Sequence, residues 1–433
     1  MSLVQLHHCV NAALDRSHVV HRRDFLRGIS AAGLAAGTLS WTDLMTAQAD
    51  ELRRRGMACI LLWMQGGPSQ FETFSPKPGH ANGGETKAIP TSVPGIEIAE
   101  NFPEMAKAMD RAAIIRSMTS KEGSHPRATF LLHTGYLPTA AVKYPSLGSI
   151  VAHEIADAAS QLPSFVRVSG RGQNSSGGGF LGVKYDPFDI QNPSLPPNNT
   201  RPTTELARYE RRLDLLGRLQ ADFASAAPQE VGDHKQLYER ATKMITSPEM
   251  KAFDLAQESD AMRTAYGESA FGAGCLLARR LVESGVTFVE VASNGWDTHA
   301  DNFNRSKQLA EQVDRPFAQL IQDLRDRGML DRTLIVWMGE FGRTPNINAR
   351  GGRDHYPRAF NVALAGGGIR GGQVIGKTDE AGTAVTDRPV TVTDLFQTIC
   401  AALKIDGNKE NHTGAGRPIK IVDGGDVVRE LLT

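Results

Sequence analysis

The sequence has 433 residues, 40% hydrophobic and 22% charged, a globular composition with room for one large or two ordinary domains. Its 48 basic and 48 acidic side chains cancel, and no block of like charge stands out, which argues against a nucleic-acid partner. No apolar run is long enough to cross a bilayer, so no stable membrane span is expected.

Residues 1–49 read as a twin-arginine signal peptide. His21-Arg22-Arg23-Asp24-Phe25-Leu26-Arg27 is the basic patch, Gly28 to Leu39 a short and mildly apolar stretch, and Ala47-Gln48-Ala49 a small-residue cleavage site. The twin-arginine translocase is then the partner during export, and the destination is the periplasm or the exterior. Cys9 falls inside this segment. Cys59, Cys275 and Cys400 remain, an odd and widely spaced set that reads as buried free thiols.

Residues 50–433 form the folded domain. The continuous apolar run Met57 to Met64 predicts a buried central strand, stopped by Gly66-Gly67-Pro68. Residues 101–113 have helical periodicity and lead into a short strand at Ala113 to Arg116, the order expected of a mostly parallel sheet. Gly123-Ser124-His125-Pro126-Arg127 is a loop opening into a helix, where backbone N–H groups face an anion. Ser124 and His125 are therefore candidate catalytic residues and Arg127 a candidate anion clamp, although a plain N-cap accounts for Ser124 equally well.

Residues 170–204 are rich in Gly, Ser, Asn and Pro and predict a long loop. A helical insertion follows at about 205–285. Its stripes Leu206, Tyr209, Leu213, Leu216, Leu219 and Phe271, Cys275, Leu276, Leu281, Val282 read as core. Two further apolar strands, Val286 to Val291 and Thr333 to Met338, run into polar loops. The first loop holds Asp297 and His299, the second Glu340, and His355 lies shortly after. Carboxylates and imidazoles are the usual ligands of a divalent metal, whether Zn, Mn, Ca or Fe, and ligands of open α/β sheets sit beyond the carboxyl ends of strands. Capping and surface turns are the alternative roles of these residues. Neither glycine triplet, 177–179 or 366–368, fits a nucleotide-binding fingerprint.

Leu62 to Ser69, Gly295-Trp296-Asp297-Thr298-His299, Gly339 to Pro345, Gly352 to His355 and Val392 to Ile399 together resemble the bacterial domain of unknown function 1501 family. Its members in turn resemble the alkaline phosphatase and arylsulfatase superfamily. That resemblance implies an α/β three-layer sandwich, a mostly parallel sheet flanked by helices, with metals at the strand ends. It implies that Asp297, His299 and His355 form the first metal site, that Glu340 stands where a metal-binding Asp is usual, and that His125 stands at the nucleophile position. Gln65 takes the place of an Asp of the second metal site, and Phe341 that of a His or Asn. The function implied is a metal-dependent hydrolase of phosphate or sulfate esters, acting on a small molecule or a glycan. The alternative is a non-catalytic envelope or glycan-binding protein.

Overall fold

The structure is a computed structural model that describes residues 56–433 apart from 158, 171–176, 201–203, 222 and 224–226. The signal segment expected at 1–49 lies outside the described residues. Nine strands form the main sheet: β1 Ala58–Gln65, β2 Ala112–Thr119, β3 Phe165–Val168, β4 Phe188–Ile190, β5 Phe288–Asn294, β6 Thr333–Met338, β7 Phe360–Ala365, β8 Gln373–Ile375 and β9 Val390–Thr391. The order is β8-β2-β7-β6-β1-β5-β3-β4, with β9 also pairing β2. Every pairing is parallel except those of β7 with β2 and β6. This is the mostly parallel sheet that the apolar runs implied.

The described helices are α1 Pro103–Lys107, α2 His125–Thr134, α3 Leu147–Ile155, α4 Leu206–Ala221, α5 Pro228–Thr246, α6 Asp260–Ala265, α7 Ala270–Glu283, α8 Asn302–Asp326 and α9 Val392–Ala402. Strand β1 shows how the layers arise. Its side chains alternate, so Ile60, Leu62 and Met64 pack with Cys275, Leu276, Val313 and Phe317 of α7 and α8. Cys59, Leu61 and Trp63 pack on the other face with Leu132, Ile150 and Phe396 of α2, α3 and α9. A strand buried on both faces has to be apolar throughout, which is why it reads as an unbroken run. All three cysteines of the domain are buried and free.

Helix α1 has no side-chain cap of its own. Asp314 of α8 supplies one from outside: its Oδ2 and Oδ1 accept the N–H groups of Glu104 and Met105, both at 2.8 Å. These donors are among the orphaned N–H groups of a helix start, where a carboxylate is favourable.

Three local expectations met a different structure. The helical stretch at 101–113 holds only five α-helical residues and a 3₁₀ turn. The loop-like segment 170–204 contributes β4, an edge strand of only three residues, too short to show an alternating pattern. The helical stretch at 205–285 divides. Helix α7 buries its stripe against the sheet, whereas α4 has no buried residue, with Leu206 and Leu219 exposed. Tyr209, Leu213 and Leu216 are half-buried, and the Tyr209 hydroxyl meets Thr242 Oγ1 of α5 at 3.1 Å.

Candidate metal centre

The parallel register sets Gln65 level with Asn294 and Trp63 level with Met338, so β1, β5 and β6 end side by side. The loops that follow interlock. Gly66 has φ of +117°, and a Cβ there would sit 2.4 Å from the backbone N of Asp297, so only glycine permits the first two loops to touch. Trp296 N–H continues the ladder to the Gln65 carbonyl at 3.1 Å, and the buried Trp296 ring anchors the loop that carries Asp297. The loop from Thr344 to His355 is laced onto this one through Arg353 N–H to Thr298 O, 3.0 Å, and Asn302 N–H to Gly351 O, 2.9 Å. A Cβ at Gly352 would lie 2.1 Å from the His299 carbonyl group, so this contact too depends on glycine.

Four of the expected site residues converge. His125, Asp297 and His355 offer ligand atoms that all lie within 4.8 Å of one another. Asp297 is central: its Oδ1 lies 3.1 Å from His299 Nε2 and 3.4 Å from His355 Nε2, and its Oδ2 lies 3.4 Å from His125 Nε2. His299 Nε2 and His355 Nε2 are 3.0 Å apart. Ligand atoms roughly 2.0–2.1 Å from a tetrahedral ion stand about 3.3 Å from one another, the scale of these gaps.

The tautomers follow from what each Nδ1 touches. His125 Nδ1 meets Glu340 Oε1 at 2.7 Å, His299 Nδ1 meets Asp354 Oδ1 at 2.7 Å, and His355 Nδ1 meets the Gly123 carbonyl at 2.8 Å. Carboxylate and carbonyl oxygens only accept, so each Nδ1 carries a proton, and in the neutral ring each Nε2 turns a lone pair toward Asp297. Two such lone pairs 3.0 Å apart repel unless a proton or a metal cation lies between them. His125 Nε2 is moreover a buried atom with no hydrogen-bond partner in the protein. Imidazoles whose second nitrogen is held by a carboxylate or carbonyl are the usual arrangement around a metal, so this donor set fits a divalent cation.

Arg343 supplies the resident positive charge. It is fully buried, donates from Nη2 to Asp297 Oδ1 at 2.6 Å and to the Gly66 carbonyl, from Nε to Gly67 O at 2.9 Å, and from Nη1 to Arg353 O at 3.2 Å. Partial burial works against the charge of Asp297. The Arg343 bond and the neighbouring His125 and His299 outweigh it and hold that carboxyl below its usual range. The Glu340 bond raises the His125 pKa. Burial, helped by the charges of His125 and Arg343, lowers that of His355.

The remaining candidates are placed differently. Glu340, expected among the ligands, is wholly buried and committed to protein donors: Gly66 N–H reaches Oε1 at 2.9 Å and Oε2 at 3.1 Å, and Gln65 Nε2 reaches Oε1 at 3.1 Å. It stands behind His125. Arg127 forms a two-pronged pair with Glu122 at 2.8 and 2.9 Å, which occupies the guanidinium intended for an anion. Ser124 is the N-cap residue of α2, with no side-chain cap bond. Arg343 and Asp354 lay inside the motifs but were not singled out. No spacing rule marks an arginine that will reach back to Asp297, or an aspartate that will orient a histidine 55 residues away.

No curated protein matches the sequence. Solved structures similar to this chain include a sulfatase from Pseudoalteromonas sp., 12% identical, covering 83% of this chain and 71% of that one with a TM-score of 0.39. A protein in the alkaline phosphatase superfamily from Vibrio parahaemolyticus is 10% identical, covering 87% and 70%, with a TM-score of 0.39. A phosphonate monoester hydrolase of Agrobacterium radiobacter is 12% identical, covering 87% and 77%, with a TM-score of 0.33. The family model described as protein of unknown function DUF1501 matches residues 57–432, from the first buried strand almost to the last residue, and the chain belongs to that family.

Proposed function

We propose that this protein is an exported, metal-dependent hydrolase of phosphate or sulfate esters. The observation that carries the reading is the convergence of three imidazole Nε2 atoms on Asp297, each imidazole pinned through Nδ1. Asp297, His299, His355 and His125 would hold the ion. A divalent cation there supplies Lewis acidity toward an ester oxygen and lowers the pKa of water. Arg343 fixes Asp297 and keeps one of its oxygens charge-compensated. Glu340 holds the proton at His125 Nδ1, and Asp354 does the same for His299. The choice of phosphate or sulfate esters, on a small molecule or a glycan, rests on the motif resemblance. Export rests on Arg22-Arg23 and the cleavage pattern Ala47-Gln48-Ala49.

One observation favours the non-catalytic alternative of an envelope or glycan-binding protein: the helix-start side chain that reaches the cluster is an imidazole already oriented as a ligand, not a hydroxyl or thiol nucleophile. Elemental analysis of protein purified without chelator, followed by a panel of phosphate and sulfate esters, separates the two. Hydrolysis restored by metal and lost in His299→Ala and His355→Ala supports the hydrolase. Bound metal with no turnover across the panel supports the alternative.

A further inference from the structure

Gln65 sits at the end of β1, one residue before the Gly66 turn, and its amide is held from both sides. Trp63 Nε1–H donates to Gln65 Oε1 at 2.9 Å, and Gln65 Nε2 donates to Glu340 Oε1 at 3.1 Å. The indole N–H is a donor only, so the amide oxygen has to face Trp63 and the NH₂ group has to face Glu340. The Trp63 ring is itself buried and packs against the buried His133, their ring centroids 4.2 Å apart. Gly66 N–H spans both oxygens of Glu340, 2.9 Å from Oε1 and 3.1 Å from Oε2. Gln65 loads Oε1, the same oxygen that accepts the His125 Nδ1 proton.

We propose that Gln65 is a positioning residue, whose amide, oriented by Trp63, fixes the Glu340 carboxylate so that His125 turns Nε2 toward Asp297. The chain Trp63–Gln65–Glu340–His125 also explains why an amide stands here. A carboxylate at 65 would face the wholly buried Glu340 as a second acceptor-only group, accept from Trp63 equally well, and repel the carboxylate it now steadies. Neither Trp63 nor Gln65 touches the ligand atoms, so both act through Glu340. The inference rests on the reading of His125 as a ligand in the proposed site.

The test combines Gln65→Leu, which keeps side-chain bulk without the amide, and Trp63→Phe, which keeps a ring over His133 but frees the amide to flip. Two readouts are taken on folded protein: the ¹⁵N chemical shifts and long-range couplings of His125, and zinc affinity by chelator competition. In the wild-type protein His125 shows the Nδ1–H form. Both variants shift His125 toward a mixture, and Gln65→Leu weakens zinc binding by roughly ten- to a hundredfold, the usual effect of losing an outer-shell partner. A His125 signature and zinc affinity unchanged in both variants would overturn the proposal. Should Gln65→Leu not fold, Trp63→Phe decides alone. A wild-type protein that binds no zinc or other divalent ion would sink the hydrolase reading, while the ¹⁵N signature would still decide the role of Gln65.

Discussion

Replacing Asp314 by Asn should change the way stability depends on pH, and the size of the change can be worked from its surroundings. The carboxyl is buried between α8 and the start of α1, and burial pushes its pKa from the usual 3.8 up to about 6, with the Glu104 and Met105 N–H groups pulling the other way. A folded value above the unfolded one means that the folded state holds the proton more tightly. The stabilising contribution is complete below about pH 4 and lost as the pH rises through about 6. At 1.36 kcal/mol per pH unit, the gap between the two values amounts to about 3 kcal/mol. Asn cannot ionise, so this slope disappears. It also accepts one N–H instead of two, a loss of about 1–3 kcal/mol at every pH. Urea unfolding of both proteins at pH 4, 5, 6 and 7 should therefore show the variant clearly weaker at pH 4 and near parity at pH 7. A stability difference that stays within about 0.5 kcal/mol over that range would refute the argument.

Arg343→Met leaves three buried carbonyls without a donor and should cost about 3–5 kcal/mol of unfolding free energy in urea, in addition to weakening metal uptake. Gly66→Ala forces a Cβ into the Asp297 backbone at a positive φ, and a loss of about 3 kcal/mol, read as a fall in the denaturation midpoint, is expected. Glu340→Gln keeps the volume but removes the charge behind His125. Zinc affinity measured by chelator competition should drop at least tenfold.

The sheet was legible because a strand covered on both faces carries no polar interruption. Met57 to Met64, Val286 to Val291 and Thr333 to Met338 each announced one, and β5 and β6 begin within two residues of the expected start. Antiparallel β7 was not foreseen, since direction leaves no trace in an apolar run. Asp297 and His299 were visible for a different reason: polar ligand-type residues directly after a buried strand stand out, whereas His355, in a later loop, was carried by its motif. The roles of Glu340 and His125 were not visible. Whether a carboxylate faces an ion or an imidazole depends on how the Gly66 N–H and the Gln65 amide hold its two oxygens, a matter of ångströms between segments 275 residues apart. The stripe of α4 misled because helical periodicity reports one apolar side and says nothing of how much protein covers it.

The pinning of the three imidazoles has a thermodynamic consequence for loading. Immobilising a side chain costs conformational entropy, and in many small metal proteins that cost falls on the binding step, which makes folding conditional on the ion. Here Glu340, Asp354 and the Gly123 carbonyl restrain the rings as part of the fold itself. The ion would meet a rigid cage and add to stability only by mass action, in proportion to the logarithm of its free concentration. Chelation should then lower the melting temperature without abolishing the cooperative transition.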